Sequence, residues 1–211
     1  MLPFTREQFL AVFERYDAVA WPAAVVACLL AIGIVAAVLR PSDGRDRFAA
    51  VALAAMWIWT GVVYHALFFA DINKAALGFA ALFVVQGLLF VAWGASSRRL
   101  RLGSPGGWRG RIGWLLVEYA TLIYPMLAIA LGHNLAALPL FGITPCPLTL
   151  FTFGILLLTR DRVAWWLLVI PVAWSLVGGS AAFLLGIAPD WPLLLTGLVV
   201  WLLTRRPRAA A

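Results

Sequence analysis

Few side chains in this 211-residue chain carry groups that chemistry can use, and their spacing decides which can act together. Glu118 is the one carboxylate inside a long apolar run, and an ionisable group there is costly enough to be functional by default. It is a candidate proton carrier or cation site, with Gln86, Thr60 and Ser175 as polar neighbours contributed by other apolar runs. The bland alternative is a carboxylate that meets a Tyr or Trp, or reaches towards the headgroups. His65 and His133 are the two histidines and Cys146 is one of two cysteines, so these three form a candidate soft-metal site. The two imidazoles are equally candidate axial ligands to a haem. Glu118 and His133 lie fifteen residues apart in one apolar run, about 22 Å at helical rise, so they define two candidate sites, an inner carboxylate and an outer His/Cys set. The bland reading of each histidine is a hydrogen-bonding residue at a helix end. No nucleophile and base pair with a recognisable spacing is present, and no catalytic residue is expected.

The elements that must position these groups are set by composition. With 64% hydrophobic and 12% charged residues, and a mean hydropathy of +0.97, the chain needs lipid as its solvent. Seven apolar segments follow: Trp21 to Leu39, Phe48 to Ala70, Ala75 to Ala95, Ile112 to Gly132, Pro145 to Thr159, Ala164 to Gly186 and Trp191 to Thr204. Most approach the ~20 residues that a bilayer crossing requires, although the fifth and seventh are short. The expected fold is an all-α integral membrane bundle of seven transmembrane helices. Residues 1–20 form a short amphipathic interfacial helix, 21–204 the transmembrane domain and 205–211 a basic tail. Thr5 to Gln8 fits a capping box at the start of that first helix.

Charge orients the bundle. If all seven segments cross, Arg40, Arg45, Arg47, Arg98, Arg99, Arg101, Arg109, Arg111, Arg160, Arg162, Arg205, Arg206 and Arg208 share one side, leaving Arg6, Arg15 and Lys74 opposite. The positive-inside rule makes the first side cytoplasmic, with the N-terminus outside and the C-terminus in the cytoplasm. The net charge of +7 therefore reads as topology and not as nucleic-acid binding, with anionic lipid headgroups as partners for the arginines. Tryptophans agree, with Trp21 and Trp191 at outer ends and Trp93, Trp108, Trp114, Trp165, Trp166 and Trp201 at inner ends. Small residues four apart, Gly33/Ala37 and Gly178/Ala182, permit close helix contact and a homo-oligomer. The Gly- and Arg-rich stretch from Ser96 to Arg111 reads as a linker between three helices and four.

Between His133 and Pro147 the chain is too apolar for an ordinary loop and too broken for a helix. Thr144 suits an N-cap, with Pro145 at the first helical position and Cys146 in the first turn. The opening LPFT followed by EQF, and the later GITPCP with LFTFGILLL after it, resemble a family of small bacterial polytopic membrane proteins of unknown function. That resemblance implies a multi-pass inner-membrane protein and no established activity. A rhodopsin-like reading fails because the single lysine, Lys74, lies between the second and third segments, and two histidines are too few for a seven-helix zinc hydrolase. Three functions remain. The first is binding or transport of a small solute or ion through an interhelical cavity; the others are an outer-face metal or haem protein and a membrane scaffold.

Overall fold

In the computed structural model, residues 2–132 and 139–205 are described, and the chain is helical with no strand among them. The helices are α1 Arg6–Leu39, α2 Asp43–Asp71, α3 Ala76–Ser96, α4 Gly107–Ala130, α5 Pro145–Leu157, α6 Trp165–Leu185 and α7 Ala188–Thr204. Five of them, α1 to α4 and α6, are long and apolar enough to cross a membrane. The helices α5 and α7 are apolar but shorter.

The capping box at the start of α1 is formed: Gln8 N–H donates to Thr5 Oγ1 at 3.3 Å, and Thr5 N–H donates to Gln8 Oε1 at 2.9 Å. The helix then runs 34 residues without a break, about 51 Å. The interfacial helix expected over residues 1–20 and the first apolar segment are thus one element. Pro22 removes a single backbone hydrogen bond, which is tolerated in apolar helices. Tertiary packing supports this part of the helix. Tyr16 stacks edge-on against Tyr64 and Phe68 at 5.3 Å each, and Phe13 lies 5.5 Å from Tyr64, so the first half of α1 is seated on the end of α2.

Helix α5 is the centre of the bundle. Every residue in it except Cys146 is buried, against α4, α6 and α7. A helix apolar on all sides is one with no outward face. Trp57 Nε1 donates to Thr152 Oγ1 at 2.9 Å, tying α2 to this central element. At 13 residues α5 is about 20 Å long.

One end of the molecule gathers the arginine-rich connections. Leu102 pairs with Thr159 in an isolated antiparallel bridge, Gly103 N–H donates to Leu158 O at 2.9 Å, and Arg160 N–H to Arg101 O at 2.7 Å. Leu102 N–H also donates to Asp46 Oδ1 at 3.3 Å, and Arg101 pairs with Asp161 at 3.8 Å. The stretch expected as a linker is therefore docked, because Leu100 and Leu102 within it are buried in the core. At the opposite, distal end, Tyr16 O–H donates to Ile143 O at 2.8 Å. Gly142 there has φ +75°, and a Cβ on it would stand 2.7 Å from the Ala27 Cβ, so this turn requires glycine.

Candidate functional site

A cavity of about 450 Å³ opens at the distal end. Its first wall comes from the start of the chain, Phe4, Phe9 and Phe13, which contact one another at ring separations of 6.0 and 5.0 Å. Tyr64 and Phe69 at the end of α2 form the second wall. Phe69 meets Phe4 edge-on at 5.3 Å, closing the corner between α1 and α2. Phe79 of α3 and Trp174 of α6, 5.3 Å apart, line the third side. The first turn of α5 supplies Pro145 and Cys146, and Asp190 enters from the turn that opens α7.

Asp190 is the polar centre of this site. It is 3% exposed, and its Oδ1 accepts a hydrogen bond from Tyr124 O–H at 2.7 Å. The Cys146 thiol is its second partner. Tyr119 O–H donates to Pro189 O at 2.7 Å, so two tyrosines one turn apart on α4 hold the start of α7 in place. Tyr64 is placed differently, in a π-helical stretch over Thr60–Phe68. Wide turns of this kind are frequent at functional sites, and here one delivers Tyr64 to the cavity and His65 behind it.

The sequence-derived candidates separate. His65 is fully buried, with ring contacts to Tyr64, Phe69, Phe79, Phe83 and Trp174 between 4.7 and 6.1 Å, and neither ring nitrogen has a hydrogen-bond partner. Cys146 reaches the cavity, whereas His133 lies outside the described residues. Among the described residues no group of three or more His, Cys, Asp or Glu side chains could hold a metal ion.

The inner set is not assembled around Glu118. That side chain is exposed, on the outward-facing side of α4 that also shows Leu115 and Leu122. Gln86 is buried, donating from Nε2 to Leu167 O at 3.1 Å, with its Oε1 unpartnered. Thr60 and Ser175 donate to Met56 O and Val172 O on their own helices. Sequence reasoning passed over Asp190, Tyr124, Trp174 and the phenylalanines of α1. The available signal for Asp190 was an acid set between Pro189 and Trp191 at the start of an apolar helix.

Fold and site together define a class: an all-helical protein with five helices suited to crossing a membrane and an aromatic cavity at the distal end. Within that class, the family model described as Family of unknown function (DUF6064) matches residues 6–210, and the chain belongs to that family. No curated protein and no solved structure matches it.

Proposed function

We propose that this is a seven-crossing inner-membrane protein that binds a small, largely apolar molecule in the distal cavity, exchanging it with the outer leaflet. The observation that carries the reading is the convergence of distant segments on one cavity. Phe4 and Phe9, from the opening LPFT and EQF stretches, face Pro145 and Cys146 of GITPCP across it. A volume of about 450 Å³ falls in the ~300–1,000 Å³ range of small-molecule sites, and the lining is aromatic and aliphatic with few polar groups. Leu184 and Val177 on its rim are 68% and 46% exposed, which supports entry from lipid. The docking of Asp46 at the start of α2, of residues 101–103 and of residues 158–160 at one end supports an even pairing of crossings. With those arginines cytoplasmic, anionic lipids are their partners and the cavity lies in the outer half of the bilayer.

Binding is tested with a neutral apolar fluorophore, N-phenylnaphthylamine, titrated into protein in nanodiscs against protein-free nanodiscs. Ala181 lines the cavity at a half-buried position, so Ala181→Trp fills the space at little cost to the fold. Saturable binding that falls at least about tenfold in the folded variant is expected. Binding unchanged by Ala181→Trp, or no saturable binding, overturns the reading.

A further inference from the structure

The walls of this cavity favour one sign of charge. Asp190 is its one carboxylate, and no Lys, Arg or His lines it among the described residues. The ion pairs among those residues are Arg15 with Asp71 and Arg101 with Asp161, both between half-exposed side chains, and neither touches Asp190. Its partners, the Tyr124 hydroxyl and the Cys146 thiol, are neutral donors. Neutral donors spread a buried negative charge without cancelling it, and a buried charge lacking a counter-ion is costly.

The remaining walls add to the same field. Phe13, Phe69, Phe79 and Trp174 line the same cavity, and aromatic rings attract a cation at the negative faces of their quadrupole, most strongly where water is excluded. An apolar anion meets the same carboxylate as repulsion.

We propose that the ligand is a lipophilic organic cation, an amine or quaternary onium group carrying apolar substituents, whose charge sits among the aromatic faces towards Asp190. This rests on the cavity being a ligand site at all, and adds the chemical class of the occupant. The apolar substituents fill the space between α1 and α6, and the cation supplies the charge that Asp190 lacks.

Tetraphenylphosphonium and tetraphenylborate are nearly the same size and shape with opposite charge, and so isolate the electrostatic term. Their binding to the full chain in zwitterionic nanodiscs at pH 8 is measured by equilibrium dialysis, with partitioning into protein-free nanodiscs subtracted. The phosphonium is expected to bind saturably and at least about tenfold more tightly than the borate. Asp190→Asn retains an oxygen to accept from Tyr124, and is expected to reduce that preference by about tenfold. Equal binding of both ions overturns the cation assignment while leaving the cavity reading intact. So does binding of the neutral fluorophore alone. If neither ion nor the fluorophore binds, both readings fall. Should Asp190→Asn not fold, the ratio between the two ions on the unaltered protein decides the matter.

Discussion

His65 shows how much a single side chain's meaning depends on its neighbours. Five aromatic rings enclose it and both nitrogens are left without a hydrogen-bond partner. A buried donor or acceptor without a partner costs about 1–3 kcal/mol, so an apolar residue of similar volume relieves a penalty. Replacing His65 with Leu is expected to raise the thermal unfolding midpoint by about 2–4 °C in detergent, followed by light scattering or intrinsic fluorescence. A fall in the midpoint would show that the unpartnered imidazole carries no such penalty, and loss of a bound metal or chromophore with the substitution would support the metal or haem reading for this histidine. Asp190 is the reverse case. Its carboxylate has two donors and faces a cavity, so its environment suits the proposed ligand where that of His65 suits packing.

At the level of elements, the decisive contact is between α4 and α5. A Cβ on Gly154 would lie 2.8 Å from both Gly113 O and Val117 Cγ2, so the two backbones approach as closely as glycine permits. Small residues are how helices associate where no hydrophobic driving force separates them from lipid. Gly154→Val is expected to destabilise the fold by about 1–3 kcal/mol through forced separation of α4 from α5. The separation displaces Tyr119 and Tyr124 on α4 from the start of α7, so ligand affinity should fall together with the unfolding midpoint. Retained affinity at an unchanged midpoint would show that this contact does not position the site. The same logic explains the short length of α5. Surrounded by α4, α6 and α7, it needs no lipid-facing surface, and its role is to carry Thr152 to Trp57 and Cys146 to the cavity.

For the whole molecule, the arginine-rich and distal ends are separated by the depth of the bundle, and an orientation follows from their charge. In the proposed orientation, Ser97 is expected in the cytoplasm and Asn73, at the cavity rim, outside. Single cysteines at these two positions, in a background of Cys28→Ser and Cys146→Ser, test this with a membrane-impermeant maleimide on intact cells. Labelling is expected at position 73, and at position 97 only after the membrane is opened. The reverse pattern would invert the topology and move the cavity to the cytoplasmic leaflet. Outward-facing Val19, Leu29, Ile32 and Leu195, each more than half exposed, form the apolar surface that such an orientation sets in lipid.

Much of the architecture was legible from residue order alone. Apolar runs of sufficient length specified the helices, Thr5 and Gln8 specified the start of α1, and Pro145 marked the start of α5, because caps and breakers act over a few residues. Thr144 stands at the N-cap position of α5, but its hydroxyl donates to Leu140 O at 2.8 Å and does not cap the helix. Arginine placement set which connections belong together, as their docking at one end agrees. What tertiary structure alone decided was which face of each helix turns inward. In a soluble bundle the polar face reveals this, but here lipid is as apolar as the core, so the outward and inward sides of α4 read alike in sequence. Glu118 therefore looked like an interior carboxylate and stands on the outer surface. Asp190 drew no attention in the sequence and lines the cavity, where segments more than 170 residues apart, Phe4 and Asp190 among them, are brought together by packing around α5.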